Sequence, residues 1–393
     1  GQYAQVAAGR DSAGRGAVLS LYHSLDEGIL GVFGADAGAR PVVLTPANRT
    51  KAGDEVGKFM KAALLEDGST LVVAFSIEHD QKAKGRPRAR GASVGQICCQ
   101  VDFDARAIAC SDVELLRSGR EGEAGWRHTS LAPCGGVDMA YAVSSVSDEG
   151  TTVWRCSCGP AARQSETCRC ELVRSMDSIV EYSSVACSAG GETIWVSGRC
   201  ANGTATLCTE AVTTSEDNAV LVRAAMGGGE KRPKRSPPED ITYTASAFNG
   251  TDLAVAFVAN YSMFLALYNT QSSPPLQMMM PSTVRHVSTI ASEGSCVSTV
   301  DRCPYGVFES VMPDPSGAGF LISFFNESST TEGCLMVSDD NGKAVHALAC
   351  GKDGFGRDSQ VVLDLEKRLG YVSFLDYNGG PSYMHHGLGV FEL

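Results

Sequence analysis

The sequence predicts an all-β protein of one domain (1–393): a β-propeller of seven blades, or alternatively six, each with four antiparallel strands. Two observations favour this fold class. Short, densely apolar segments recur along the chain at a spacing typical of repeat units. Glycine is abundant, with 43 residues, as in folds that contain many tight turns.

Seven apolar segments form the repeat. Each is too short for a typical helix and is rich in β-branched and aromatic residues, which indicates a strand. Residues on both faces of each segment are apolar or small, as expected where neighbouring blades cover a strand on both sides. The segments are 17–22, 70–75, 137–143, 192–196, 251–257, 318–324 and 370–375.

Further strands are predicted around each segment, which gives four per unit. An alternating strand such as 242–248 precedes the apolar segment, and another such as 264–268 follows it. The last unit shows no clear fourth strand, so six blades remain the alternative, and the strand near 3–8 is expected to fill that place and join the two ends of the ring. The segment 54–66 has helical propensity, but its position in the repeat predicts a strand.

Cysteine usage predicts a disulfide-bonded protein of an oxidising compartment, since the chain has 15 cysteines. In an antiparallel hairpin, Cys156 faces Cys170 and Cys158 faces Cys168, so that all four side chains share one face. Zinc sites usually separate neighbouring ligands by two to four residues, which disfavours a metal site here. We therefore predict disulfides and no metal.

The same reasoning predicts the remaining pairs. Cys110 lies opposite Cys99 or Cys98 across a turn, and most other pairs close a hairpin or a short loop. Cys134 and Cys187 occupy matching places in consecutive units and are expected to bridge two blades. The predicted pairs are Cys156–Cys170, Cys158–Cys168, Cys200–Cys208, Cys334–Cys350, Cys296–Cys303, Cys99–Cys110 and Cys134–Cys187. Because the total is odd, at least one thiol is left free or pairs outside this chain.

Five N-glycosylation tripeptides agree with the same compartment, although each is also ordinary turn chemistry. No apolar run is long enough to cross a bilayer. We therefore expect a secreted or cell-surface glycoprotein that is attached to a membrane only through an anchor outside these residues. The acceptors are Asn48, Asn202, Asn249, Asn260 and Asn326.

Two basic segments interrupt the repeat, at 79–92 and 226–239. Neither has the apolar residues needed to pack a core, so both are expected to be solvated, mobile loops. On a chain with a formal net charge of -12 they are either local positive patches that steer an anionic partner or plain soluble linkers. Their cations are Lys82, Lys84, Arg86, Arg88, Arg90, Lys231, Arg232, Lys234 and Arg235.

The sequence shows no catalytic motif in a supporting context. It contains no His-Glu-x-x-His and no phosphate-binding loop, and its one Gly-x-Ser-x-Gly, at 91–95, borders a basic segment. All seven histidines, His128 and the adjacent pair His385 and His386 among them, are interpreted as structural or surface residues. We predict no catalytic residues and no cofactor, and the acidic charge argues against nucleic-acid binding.

One turn resembles a known family. Residues 338–345, Ser-Asp-Asp-Asn-Gly-Lys-Ala-Val, resemble the Asp box of sialidase-like propellers, with Ser338, Asp340 and Gly342 at the box positions and Val345 where Trp is usual. In that family the box is a structural turn between the third and fourth strands of a blade. Poorer echoes occur at 24–28 and 147–150, one turn earlier. The overall composition also resembles surface glycoproteins of trypanosome-like protozoan parasites.

The resemblance implies architecture and not hydrolysis, because the Phe/Tyr-Arg-Ile-Pro segment of sialidases has no counterpart in this chain. The predicted function is that of a surface binding module, an adhesion protein or receptor that takes a protein or glycan ligand of a host or neighbouring cell. The alternatives are a sialidase-like glycosidase and a structural component of a surface coat.

Overall fold

The computed structural model describes residues 2–392 with gaps. The segments outside the description are 25–26, 35–39, 46–54, 79–91, 118–126, 137–138, 159–167, 202–205, 214–218, 226–240, 260–261, 272–282, 290–309, 315–318, 330–331, 340–343, 353–356, 365–368 and 377–384. The described part is built of strands, apart from a 3₁₀ turn at Ala189–Gly191.

The described strands form seven antiparallel sheets that follow one another along the chain. Sheet 1 contains β1 (Gln2–Arg10), β2 (Gly16–Ser24), β3 (Gly28–Phe33) and β4 (Val42–Val43). Sheet 2 contains β5 (Glu55–Leu64), β6 (Thr70–Glu78), β7 (Ala92–Asp102) and β8 (Ala107–Cys110), with β9 (Glu114–Arg117) also paired to β7. Sheet 3 contains β10 (Arg127–Gly135), β11 (Ala140–Ser147), β12 (Gly150–Ser157) and β13 (Arg169–Met176).

The other four sheets repeat this order of neighbouring strands. Sheet 4 contains β14 (Ile179–Cys187), β15 (Thr193–Cys200), β16 (Thr206–Thr213) and β17 (Ala219–Ala225). Sheet 5 contains β18 (Thr242–Phe248), β19 (Asp252–Ala259), β20 (Ser262–Asn269) and β21 (Thr283–Thr289). Sheet 6 contains β22 (Ser310–Pro313), β23 (Phe320–Ser329), β24 (Glu332–Asp339) and β25 (Ala344–Lys352), and sheet 7 contains β26 (Arg357–Asp364), β27 (Leu369–Asp376) and β28 (His385–Glu392).

The apolar repeat marks the same place in every sheet. Each of the seven predicted segments lies in the second strand of its sheet, or overlaps it: β2, β6, β11, β15, β19, β23 and β27. The segment with helical propensity forms β5, a strand, as its place in the repeat predicts.

The first strands of the sheets form a closed ring. Each contacts the first strand of the next sheet, from β1 through β5, β10, β14, β18 and β22 to β26, and β26 contacts β1. A ring of consecutive antiparallel sheets around inner strands is the architecture of a β-propeller, and the predicted fold class is confirmed. The last sheet has three described strands, so the number of full blades stays a prediction.

The expected role of the N-terminal strand is wrong. The sequence predicted that residues near 3–8 would complete the last unit as its missing strand. Instead β1 pairs with β2 as the inner strand of sheet 1, and it packs on β26 and β27 without a register to either. Within the described residues, sheets 7 and 1 are joined by packing and by a side-chain hydrogen bond, and no strand of one pairs with a strand of the other.

The core is divided into slabs that lie between neighbouring sheets. Alternate residues of an inner strand point to opposite sides, so one strand contributes to two slabs. In β19, Leu253, Val255 and Phe257 pack in a cluster with Trp195 of sheet 4. Ala254, Ala256 and Val258 of the same strand pack in a cluster with Phe320 of sheet 6. Both faces of this strand are therefore buried, as the apolar pattern predicts.

Polar side chains on the inner strands connect neighbouring sheets by a repeated hydrogen bond. In each case a Gln or Ser side chain accepts from a backbone amide of the next inner strand. The donor and acceptor pairs are Ala62 N and Gln5 Oε1 at 3.3 Å, Val185 N and Ser130 Oγ at 3.2 Å, Val361 N and Ser310 Oγ at 3.3 Å, and Val6 N and Gln360 Oε1 at 2.8 Å. The last of these joins sheet 7 to sheet 1.

Replacing Gln360 by Leu should lower the free energy of unfolding by about 1–3 kcal/mol, because the buried Val6 amide loses its acceptor. Gln360→Glu, which keeps an acceptor oxygen, should lose less. Denaturant unfolding of the full chain measures both. Equal losses in the two variants would show that the hydrogen bond does not stabilise the closure.

Candidate functional site

Four inner strands carry an aromatic or imidazole side chain on a left-handed backbone. The φ angles are 49° at Phe59, 52° at His128, 53° at Tyr182 and 47° at Tyr243. Each residue lies at or beside a shift of register between the first and second strands of its sheet. Positive φ is costly for bulky residues, so its recurrence at four equivalent positions indicates a local geometry that the fold imposes.

The four rings contact one another across sheets 2 to 5. The ring centroids of Phe59 and His128 are 5.0 Å apart, those of His128 and Tyr182 are 4.4 Å apart, and those of Tyr182 and Tyr243 are 5.1 Å apart. Successive planes are tilted by 48–51°. We call these four residues the aromatic arc. All four residues are partly exposed.

The position of the arc follows from the chain direction. The inner strands repeat one topology around the ring, so their first halves lie toward the same end of the central channel. The arc residues fall in the first half of β5, β10, β14 and β18. In β1 the matching register shift contains Tyr3, and in β26 it contains Asp358 and Ser359.

Polar groups from neighbouring strands hold the backbone beneath the rings. Thr244 Oγ1 donates a hydrogen bond to the carbonyl oxygen of Tyr182 and lies 3.3 Å from that of Ser197. Arg199 Nη2 lies 2.7 Å from Glu181 Oε2, next to Tyr182 in the chain. The Thr244 contacts join sheets 4 and 5, the Arg199–Glu181 ion pair lies within sheet 4, and together they hold the backbone at Tyr182 in place without a ligand.

The arc offers stacking and hydrogen bonding. Its members present flat apolar faces, two phenol hydroxyls and one imidazole, a combination typical of sites that bind ligands with an apolar face and polar edges. The sequence interpretation missed this site, and it treated His128 as a structural or surface residue. The sequence carries one signal of this site: a polar residue follows two positions after an aromatic residue or histidine. The pairs are Tyr3 and Gln5, Phe59 and Lys61, His128 and Ser130, and Tyr182 and Ser184.

In five of the predicted cysteine pairs, the structure places the two sulfur atoms close to each other. They are Cys99–Cys110, Cys134–Cys187, Cys156–Cys170, Cys158–Cys168 and Cys200–Cys208. Cys110 lies opposite Cys99 and not Cys98. Cys134 and Cys187 connect sheets 3 and 4. A sixth close pair, Cys98–Cys168, was not predicted, because reasoning from hairpins considers only contacts within one sheet.

The structure describes only some of the other residues that the sequence analysis singled out. Cys334 lies opposite Cys350 in the register of β24 and β25, whereas Cys296 and Cys303 lie outside the described residues. The Asp-box-like turn connects the third and fourth strands of sheet 6, but Asp340 and Gly342 are themselves outside the description. Its resemblance to the sialidase family stays an interpretation.

The glycosylation acceptors and the basic segments remain predictions. Asn249 Oδ1 accepts hydrogen bonds from the amides of Thr251 at 3.0 Å and Asp252 at 2.8 Å, so this tripeptide also serves as a turn. Asn326 lies within β23, and Asn48, Asn202 and Asn260 are outside the described residues. All nine cations of the basic segments are also outside them. No helix in the described part is long and apolar enough to cross a membrane.

Comparisons with known proteins support the fold alone. No protein-family model matches the chain, and no curated protein matches it significantly. A protein of unknown function from Dyadobacter fermentans shares the fold with a TM-score of 0.52 and 11% identity, over 88% of this chain and 99% of that one.

Two other solved structures show weaker likenesses. AofleA from Arthrobotrys oligospora has a TM-score of 0.46 and 9% identity over 89% of this chain and 88% of its own. A mutant of the Aleuria aurantia lectin in complex with α-methyl-L-fucoside has a TM-score of 0.41 and 12% identity over 90% of this chain and 96% of its own. The chain's own structure defines an all-β propeller with several close cysteine pairs, and the assignment of a function rests on the chain's own residues.

Proposed function

We propose that this protein is a secreted or cell-surface binding module, an adhesion protein or receptor, whose aromatic arc stacks on a glycan ligand of a host or neighbouring cell. The observation that carries the proposal is the contact of four partly exposed rings on successive inner strands. Several close cysteine pairs support an extracellular place of action, since disulfides persist in oxidising compartments.

Backbone strain supports a role in binding. A bulky residue with positive φ costs stability of the order of 1–3 kcal/mol. If these positions had only to form a turn, Gly or Asn would be more stable there, because both tolerate the left-handed region. Four aromatic or imidazole side chains at strained, partly exposed positions are therefore better explained by a ligand than by packing.

The ligand class follows from the shape and chemistry of the arc. Sugar rings present flat C–H faces and hydroxyl edges, which match aromatic faces flanked by Tyr hydroxyls and an imidazole.

A glycan panel with matched variants tests the proposal. Tyr182→Asn removes the ring but suits the left-handed backbone, so it should keep or raise thermal stability and weaken glycan binding about tenfold. Tyr182→Phe keeps the ring and should bind nearly as well as the wild type. Leu172→Ala, at an exposed position on the outer strand β13, is the control for surface changes and should have no effect.

Other outcomes would redirect the assignment. Unchanged glycan binding by Tyr182→Asn and by a second variant, Tyr243→Asn, would exclude the arc as the ligand site. Turnover of fluorogenic sialosides or hexosides would favour the glycosidase alternative. Capture of a cell-surface protein that survives enzymatic deglycosylation would favour a protein ligand, and the absence of any ligand in the panel and in surface extracts would favour a structural coat component.

A further inference from the structure

Three cysteines converge at the interface of sheets 2 and 3. The Sγ atoms of Cys98, Cys158 and Cys168 all lie within 4.8 Å of one another, and those of Cys98 and Cys158 are 3.8 Å apart. Cys168 is close to both of the others. A sulfur atom forms one disulfide at a time, so any pairing within this group leaves one sulfur over.

The strand registers of both sheets place these three cysteines close together. Cys98 lies in β7 opposite Val72, and its neighbour Cys99 lies opposite Leu71 and Cys110. Successive strand residues point to opposite faces, so Cys99 enters the core shared with sheet 1 while Cys98 packs toward sheet 3. From the other side, the register of Cys156 with Cys170 brings Cys158 and Cys168 together at the end of the β12–β13 pair.

The group is largely buried. Cys158 and Cys168 are buried, whereas Cys98 is partly exposed. Tyr141 Oη lies 3.8 Å from Cys98 Sγ and donates a hydrogen bond to Gln96 Oε1 at 2.8 Å. Burial, reinforced by the charge of Glu114, raises the pKa of Tyr141, so its hydroxyl stays neutral beside the sulfur.

We propose that Cys98, Cys158 and Cys168 form a thiol–disulfide exchange site, in which Cys168 is joined either to Cys158 within sheet 3 or to Cys98 of sheet 2. The Cys98 thiol first loses its proton to water. Its thiolate then attacks Cys168 Sγ, the Cys98–Cys168 bond forms as the Cys158–Cys168 bond breaks, and the electron pair leaves on Cys158, which takes a proton from water. The numbers of thiols and disulfides are unchanged, so no oxidant or reductant is consumed.

The two states differ in what they connect and in what they expose. Cys158–Cys168 closes a loop of sequence separation 10 inside one sheet, whereas Cys98–Cys168 has a separation of 70 and ties two neighbouring sheets together. In the first state the remaining thiol is the partly exposed Cys98, and in the second it is the buried Cys158. The exchange therefore adds or removes a bond between sheets and, with it, an accessible thiol.

A zinc site is the alternative explanation for three cysteines that lie this close together. Structural zinc normally has four protein ligands, and the described residues supply three at this place. Tyr141, whose hydroxyl lies 3.8 Å from Cys98 Sγ, is neutral and is not a usual zinc ligand. Exchange accounts for the same convergence without a fourth ligand and is consistent with the odd number of cysteines in the chain.

Peptide mapping of the secreted full chain tests the exchange. The protein is incubated in a glutathione redox buffer, unfolded in the presence of excess N-ethylmaleimide and digested without reduction. We expect two species in the wild type: Cys158–Cys168 with labelled Cys98, and Cys98–Cys168 with labelled Cys158. Cys158→Ser should convert essentially all molecules to Cys98–Cys168, and Cys98→Ser should convert them to Cys158–Cys168.

The matched control is the double variant Cys99→Ser and Cys110→Ser, which removes the neighbouring disulfide on the opposite face without leaving a new thiol and should leave the partners of Cys168 unchanged. The proposal is overturned if wild-type Cys168 has a single partner under all redox conditions, or if Cys98 and Cys168 both stay labelled in Cys158→Ser. Three labelled thiols together with one equivalent of zinc per chain would overturn it in favour of a metal site. Mapping of the wild type requires no variant to fold, and it does not depend on the glycan assay.

Discussion

Replacing Cys134 and Cys187 together by Ala is expected to lower the free energy of unfolding by about 4 kcal/mol. The two cysteines lie near the ends of β10 and β14, the inner strands of sheets 3 and 4, and are separated by 53 residues in sequence. In the chain-entropy model a cross-link stabilises more when it closes a longer loop, because it removes more freedom from the unfolded chain. This pair also fixes the relative position of two neighbouring sheets.

The matched comparison is the double variant of Cys200 and Cys208, a pair separated by 8 residues within sheet 4. The same model gives about 2.5 kcal/mol for this local link. Equilibrium unfolding in denaturant, without reductant, measures both losses on the full chain. A loss for the local pair that equals or exceeds the loss for the pair between sheets would contradict the assigned roles.

The fold class was readable from the sequence because it follows from local patterns. Segments such as 251–257 are short, apolar on both faces and repeated, and only a strand covered by two neighbouring sheets satisfies all three conditions. Close pairs within one sheet, such as Cys156 and Cys170, were predictable because their spacing is symmetric about a turn. These inferences need only the alternation of strand residues and the geometry of a hairpin.

The candidate site was not readable because it depends on contacts between sheets. His128 and Tyr182 come together only when β10 and β14 lie side by side in the ring, and a register shift turns each side chain into place. No local sequence pattern predicts such a register shift. The sequence considered Cys98 only as an alternative partner of Cys110. Its contact with Cys158 and Cys168 was not predicted, because those two residues belong to the next sheet.

The ring closure was predicted incorrectly for a related reason. Strand pairing between the chain ends is one way to close a propeller, and the sequence offered a strand near 3–8 that suited it. The second strand of sheet 1 competes for the same edge of β1 and is adjacent in the chain, so the β1–β2 hairpin costs less loop entropy than a pairing between distant ends. The hydrogen bond between the Val6 amide and Gln360 then contributes to the closure.

Truncating Phe257 to Ala should lower the free energy of unfolding by about 3–5 kcal/mol, because its fully buried ring fills the slab between sheets 4 and 5. Ala256, on the opposite face of β19, packs in the slab shared with sheet 6, where Ala256→Leu should cost about 1–3 kcal/mol through overpacking. Leu172→Ala, on an exposed position of β13, should change stability by less than about 0.5 kcal/mol.

Denaturant unfolding of these three variants tests the central feature of the fold, which is that each second strand is buried on both faces. A strand with one solvated face would tolerate either Phe257→Ala or Ala256→Leu at little cost. Large losses from both adjacent positions are expected only where neighbouring sheets cover the strand from two sides, because the side chains of residues 256 and 257 point in opposite directions. A neutral effect at one of the two positions would therefore contradict the packing of sheet 5 between sheets 4 and 6.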